Sequence, residues 1–422
     1  MSSSENTIIN TASVSQSAVN FTKERRASLI GAIFLMATSA IGPGFITQTA
    51  TFTATMGAAF AFGILASILM DFVIQMNVWR VVTLTNMRAS DIANKAIPGS
   101  GYLLAIFIIF GGLVFNIGNI AGAGLGLNAL MGLDPKIGGA LSAMAAIGIF
   151  LSRRVGIAID RIVIYLGLLM IALTVFVVYQ SNPPVGEALR QTVFPDEISF
   201  ATIVTIVGGT VGGYITYAGA HRLLDSGITG PEHLNRVTKA AVNGILVTGV
   251  MRYVLFLAIL GVVASGVVID ISGKAANPAA QAFQAASGEF GLRIFGLILW
   301  AAGITSVIGA AYTSISFTMV FKKGMNLKMR SIATIIFIAI SLAVYLALGT
   351  APAALLVFAG GFNGLILPIG LTIFMYVASF RSDLMGNYKY PIWLLVSGIA
   401  VCLLTWYMGF IAFKPIFNFL AL

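Results

Sequence analysis

Two glycine-broken apolar stretches decide the reading of this chain: Ser39-Ala40-Ile41-Gly42-Pro43-Gly44-Phe45 and Gly208-Gly209-Thr210-Val211-Gly212-Gly213-Tyr214. Each lies inside an apolar run long enough to cross a membrane. A Gly or Pro break in such a run frees backbone carbonyls and amides that lipid cannot satisfy, so they must face protein, water or a ligand. Paired breaks at matching places in two halves of a chain point to the substrate site of a secondary transporter.

The composition agrees with a membrane setting. Of the 422 residues, 58% are hydrophobic and only 9% are charged, against about 25% charged in soluble domains. The single cysteine, Cys402, lies in an apolar run, which excludes a disulfide framework and a cysteine metal site. His221 and His233 share one polar segment between spans and read as solvated or capping groups. Residues 1–22 are rich in Ser, Asn and Thr and lack a basic start followed by an apolar stretch. They read as a disordered cytoplasmic tail and not as a signal peptide.

Apolar runs of about 20 residues lay out as eleven spans: 28–54, 57–79, 101–130, 137–152, 162–180, 200–220, 240–266, 292–320, 331–349, 353–379 and 391–413. With the N-terminus inside, 18 of the 24 Lys and Arg residues fall on the inner side and 5 on the outer. The net charge of +10 is thus a topology signal and not a nucleic-acid patch. Spans 1–5 and 6–10 each open with a broken helix, so the two halves are expected to be inverted repeats. That is an all-α, LeuT-type 5+5 arrangement with helices 1 and 6 unwound near the midplane. The expected division is one transmembrane domain over 23–422, with repeats at 28–180 and 200–379 and an extra helix at 391–413. The third span is long enough to tilt, or to break near Gly122-Ala123-Gly124, and Gly360-Gly361 marks another weak point in span 10.

These features resemble the Nramp family of divalent-metal transporters over the whole span region. Where that family reads Asp-Pro-Gly-Asn, this chain has Gly42-Pro43-Gly44-Phe45, with Gly57 at the matching interval. Where it reads Gly-Ala-Thr-x-Met-Pro-His, this chain has Gly208 to Tyr214, and Tyr217 matches a following Tyr. Arg153-Arg154 with Asp160, and Ala301 to Ser306, also fit. The resemblance implies a metal transporter, yet the family's metal-binding Asp, Asn and Met are Gly42, Phe45 and Gly212 here, and its span 6 His is Tyr214. Two acidic residues of its span 3 align with Asn116 and Asn119. A divalent ion would find carbonyls such as those of Ser39 and Gly209 and nothing anionic, and dehydrating it there is costly.

The expected substrate is therefore a small organic solute, an anion or carboxylate. It is bound at Ser39, Gly42, Pro43, Gly44, Phe45, Gly209, Gly212, Gly213, Tyr214 and Tyr217, with Phe45 and the two tyrosines as an apolar wall. The resemblance associates chains with such an altered motif with bacterial 5-oxoproline use, which makes 5-oxoproline the first test substrate. A divalent cation, carried partly hydrated, is the alternative. A non-transporting sensor or scaffold is a further one, and an enzyme is excluded by the lack of any catalytic constellation. No cofactor is expected. The coupling ion, proton or sodium, is open. A monomer in a bacterial cytoplasmic membrane is expected.

Two charged residues fall well inside spans, Asp71 and Arg252. Intramembrane charges are functional hypotheses by default. Three readings of Arg252 stand: pairing with Asp71 or holding broken-helix carbonyls, binding a substrate carboxylate, or gating and coupling. Asp71 is either part of an ion pair or the carrier of a coupling proton. Asn116 and Asn119, at i and i+3, share one face of span 3. The run Thr47, Gln48, Thr49, Thr51, Thr53 and Thr55 either lines an aqueous path or bonds to its own helix.

Overall fold

The computed structural model describes residue 29 and residues 40–151, 153–272, 276–322, 324–348 and 352–418. The expected tail 1–22, most of the first half of span 1 and Ser39 lie outside these residues. So do the side chains of Arg153, Arg154 and Asp160.

The regular structure among the described residues is helical. In chain order it comprises α1 (Pro43–Met56), α2 (Phe60–Thr85), α3 (Ala89–Ala96), α4 (Ser100–Met131), α5 (Pro135–Leu151), α6 (Arg153–Ser181) and α7 (Val185–Val193). Then follow α8 (Phe200–Val211), α9 (Ile215–Asp225), α10 (Leu234–Ala264), α11 (Pro278–Phe317), α12 (Leu327–Ala347), α13 (Pro352–Phe380) and α14 (Ile392–Asn418). Local chemistry sets many of the ends. Pro43 opens α1, where its missing N–H costs nothing. Asn86 closes α2 in the left-handed conformation, and the side chains of Asn277 and Asn326 cap α11 and α12.

Among the described residues, eight helical segments are long and apolar enough to cross a membrane, or nine if the bent pair Leu168–Ser181 and Val185–Val193 counts as one span. This count does not by itself confirm the expected eleven, since Pro43–Thr85 takes in parts of both expected spans 1 and 2. Two of the eight segments, Pro43–Thr85 and Pro278–Val320, run 43 residues but are not single straight rods, because Gly57 and Gly288 interrupt them. Pro135–Leu151 is too short to count. The helix leading into expected span 8 begins at Pro278, earlier than the apolar run at 292, and Gly288 interrupts it at φ 64°.

Small residues bring the helices together, as membrane packing requires. Gly126 of α4 lies against the backbone of Trp300 in α11, and Gly303 lies against Ala123. Gly208 of α8 packs against the backbone of Gly360 and Gly364 in α13. The glycines at 122, 124, 360 and 361 therefore serve close approach, and neither α4 nor α13 breaks at them. In the apolar 18-residue stretch of Phe200–Asp225, 89% is buried, against 33% in that of Ile392–Asn418. The broken segment thus sits inside the bundle and α14 at its lipid-facing edge.

His221, expected between spans, lies buried within α9. Its Nε2 accepts the Ala89 amide at 3.2 Å and its Nδ1 lies 2.9 Å from Ser316 Oγ. It caps an orphan amide at the start of α3. His233 is also largely buried, beside Glu232 at 3.8 Å.

Candidate functional site

Both breaks form. Gly42 is extended (φ −96°, ψ −175°) immediately before α1. In the second segment α8 stops at Val211, Gly212 is extended, Gly213 takes φ 54°, and α9 restarts after Tyr214. The Thr216 hydroxyl reaches back across this break to the Val211 carbonyl.

The starts of α1 and α9 converge on α4. A Cβ placed on Gly44 would lie 3.6 Å from the Phe115 ring, and that ring packs edge-on against Tyr214 at 5.6 Å between centroids. A Cβ on Gly42 would lie 2.6 Å from Ser306 Oγ and 3.7 Å from Asn119 Oδ1. The Asn119 amide in turn lies beside the Tyr214 hydroxyl, neither completing a good hydrogen bond. Gly213 abuts the Asn363 carbonyl oxygen. Gln48 donates to the Leu356 carbonyl at 3.1 Å and turns its own oxygen toward Gly209.

The lining is polar and neutral. Gln48 Oε1, Asn119 Nδ2, Tyr214 Oη and Asn363 Oδ1 are buried without a protein hydrogen-bond partner. Each such atom costs about 1–3 kcal/mol unless something satisfies it. Together they offer acceptors and donors of amide and hydroxyl type. Among the described residues no cluster of three His, Cys, Asp or Glu side chains could hold a metal ion.

Some sequence-predicted residues are not brought together. Phe45 does not share a wall with the tyrosines. Its ring lies 4.1 Å from the Arg252 guanidinium carbon and belongs to the core around Met251 and Leu299. Tyr217 packs one turn beyond the break, against Phe317 at 5.1 Å and Phe374 at 5.8 Å. Asn116 and Asn119 find different neighbours: Asn116 donates to Ser341 at 3.1 Å, whereas Asn119 faces Gly42. In the threonine run, Thr49 and Thr53 donate to Phe45 and Thr49 carbonyls at 2.7 and 2.6 Å, so these hydroxyls serve their own helix.

Asp71 and Arg252 make no direct ion pair. Arg252 Nη1 donates to Thr210 Oγ1 at 2.9 Å and to the Ile206 carbonyl at 3.3 Å. The arginine therefore holds the end of α8 just before the break. Phe115 and Leu356 join the site only through tertiary contact, and no local sequence signal marks them.

The sequence profile of the Nramp family (Natural resistance-associated macrophage protein-like) matches residues 33–413. An uncharacterized membrane protein of Bacillus subtilis (strain 168), YcsG, is 52% identical over 381 residues, covering 90% of this chain and 93% of that one. An uncharacterized membrane protein of Haemophilus influenzae is 48% identical over 397 residues, covering 94% and 98%. Among solved structures, the Eremococcus coleocola manganese transporter bound to an aromatic bis-isothiourea compound superimposes with TM-score 0.73 at 15% identity, over 92% of this chain and 86% of that one. MhsT in complex with L-phenylalanine gives 0.65 at 16%, over 91% and 98%. The fold is thus the LeuT type seen in those transporters. This chain belongs to the Nramp family and is a membrane transporter of that family.

Proposed function

We propose that the chain carries a small organic carboxylate by alternating access, seated between the starts of α1 and α9. The observation that carries this reading is the approach of two helix starts to Phe115 of α4, among buried amide and hydroxyl side chains with no acidic side chain at the breaks. Free first-turn amides and the helix dipoles favour an anion there. Gly42, Gly44, Gly212 and Gly213 allow a ligand close to the backbone. Gln48 Oε1, Asn119 Nδ2, Tyr214 Oη and Asn363 Oδ1 suit a neutral donor and acceptor on the same ligand. 5-Oxoproline has a carboxylate, an amide N–H and an amide carbonyl, and it is the first substrate to test. MhsT, with the same fold, holds an amino acid.

A second reading, a divalent cation, is favoured by the manganese transport named for the Eremococcus protein. A partly hydrated ion needs fewer direct ligands, but Gly42, Phe45 and Gly212 offer it no anionic or thioether group. Uptake into proteoliposomes separates the two. Saturable 5-oxoproline uptake without Mn²⁺ uptake supports the first reading, and the reverse overturns it. The remaining parts of this reading are a proton or sodium gradient as the driving force, a monomer with its N-terminus inside a bacterial cytoplasmic membrane, and a single transporter domain after the tail 1–22.

A further inference from the structure

A cleft of about 600 Å³ opens among α3, the start of α4 and the turn that follows α11. The long apolar helices end here: α2 at Thr85, α4 at Ser100 and α11 at Phe317. Spans end at the surface of a bilayer, so the cleft lies at headgroup depth. Its main wall, α3, is tied at both ends. His221 accepts the Ala89 amide, and Arg381 donates to the Lys95 and Ala96 carbonyls at 2.7 and 3.2 Å. Asn94 accepts the Gly101 amide at 2.8 Å, which fixes α3 against α4.

The charges in the cleft are of both signs. Arg88, at the head of α3, gives Nη2 to Asp225, and its Nη1 is buried without a partner. Asp91 and Lys95 stand one turn apart on α3 and both line the cleft. Neither makes an ion pair or a side-chain hydrogen bond among the described residues. With Arg88 compensated by Asp225, the free charges of the described lining are one acid and one base. A simple anion would meet Asp91, and a simple cation would meet Lys95; a zwitterion finds a partner for each of its charges.

An apolar track leads away from the cleft. Leu103, Ile106 and Phe110 lie along one face of α4 and are each about half exposed, over about 10 Å of helix. At the rim the Tyr102 and Phe321 rings stand 5.5 Å apart and are also about half exposed. Aromatic rings in such a place mark the membrane–water interface. A soluble phosphate ester would use the cleft alone, whereas a phospholipid uses both the cleft and the track.

We propose that the cleft is a phospholipid site selective for a phosphoethanolamine headgroup. The ammonium binds Asp91, the phosphate binds Lys95 and the free Nη1 of Arg88, and an acyl chain follows Leu103, Ile106 and Phe110. In the orientation proposed above this is the inner leaflet. Arg88 holds Asp225 of α9 with its other nitrogen, so the bound lipid braces the second half of the broken segment.

Full-length protein, purified in detergent and stripped of lipid, tests this by thermal stabilisation. The probes are dioctanoyl phosphatidylethanolamine, phosphatidylcholine and phosphatidylglycerol, with free phosphoethanolamine as the chainless control. The ethanolamine lipid should act at about tenfold lower concentration than the other two, because choline has no N–H for Asp91 and glycerol has no positive charge. Free phosphoethanolamine should be weaker than its lipid. Asp91→Asn should erase the preference for ethanolamine over glycerol. Lys95→Gln should weaken all three lipids about tenfold, and Lys414→Gln, an exposed lysine of α14 outside the cleft, should change nothing. Equal action of the three lipids on the wild type, or a preference for glycerol, overturns the headgroup assignment whether or not the variants fold. A preference that survives Asp91→Asn, or an equal loss in Lys414→Gln, overturns the site. Free phosphoethanolamine as effective as the lipid overturns the acyl track, and stabilisation by none of the lipids overturns the whole proposal. The carboxylate reading is tested separately by uptake and is untouched by these results.

Discussion

Alanine at Gly213 meets two separate obstacles. The backbone there is left-handed at φ 54°, which costs a residue with a Cβ about 1–2 kcal/mol. The added Cβ also runs into the Asn363 carbonyl oxygen, and overfilling a packed site costs about 1–3 kcal/mol more. The sum is about 2–5 kcal/mol. Gly132 provides the control: its φ is 76°, and nothing lies within 4 Å of where its Cβ would stand. Gly132→Ala should lose only the backbone part. Melting of the detergent-purified variants should rank wild type above Gly132→Ala above Gly213→Ala. Asn363→Ala should recover the steric part when combined with Gly213→Ala, making the double variant more stable than the two single losses added together. Transport should fall in Gly213→Ala and persist in Gly132→Ala. The reasoning is refuted if Gly213→Ala melts with or above Gly132→Ala, or if removing the Asn363 side chain brings no recovery.

Mn²⁺ flux into proteoliposomes should stay at the level of empty vesicles, because Gly42, Phe45 and Gly212 supply no ligand; a saturable flux would mean that carbonyls suffice. Arg252→Gln and Asp71→Asn each strand a buried charge and should each cost about 3–5 kcal/mol, whereas the double change should be close to neutral in stability. Equal loss in the double variant would show that the two charges are held independently. Asp225 is bonded to Arg88, receives the Tyr312 hydroxyl at 3.1 Å and lies 3.9 Å from Arg330. These partly exposed pairs contribute about 1 kcal/mol at most, so Asp225→Asn should barely move the melting temperature. It should speed maleimide labelling of a cysteine at Ser316 in a Cys402→Ala background, and unchanged labelling would show that packing alone holds α9.

The two breaks were legible because Pro43 sits inside an apolar run and Gly212-Gly213 offers no Cβ where the helix must stop. Other glycines were not legible in the same way. Gly122 and Gly124 look as permissive as Gly212, yet α4 runs through them because Pro43 and the Pro135 carbonyl occupy the space their Cβ atoms would take. Gly360 and Gly361 likewise lie against Gln48, Thr205 and Ile416. A glycine that admits a neighbour and a glycine that releases a helix share one letter, and the difference resides in the facing helix. The turn before span 8 had a local signal in Asn277-Pro278, a cap followed by a first-turn proline, but its polar residues, Gln281 and Gln284 among them, hid it from a hydropathy reading.

The site was legible only as far as chain position determines it. Residues 42–45 and 208–214 lie at the breaks because they make the breaks. What faces them comes from α4, α11 and α13, and the separations are long: Gln48 bonds to a carbonyl 308 positions away, and Asn363 bonds to Gly111 at 252. Side-chain direction decides the rest. Phe45 and Tyr214 both border a break, yet one is buried beside Arg252 and the other beside Phe115, in different clusters of the core. The charges show the same limit. One acid and one base in different spans suggest a pair, and the net neutrality of that pair could be read from the sequence. That Arg252 instead bonds to Thr210 and Ile206 at the end of α8 depends on the register of α8 and α10. That register buries Arg252 Nε, Arg252 Nη2 and Asp71 Oδ1 without a protein partner, which residue types along the chain could not show because it depends on which way each helix turns its side chains.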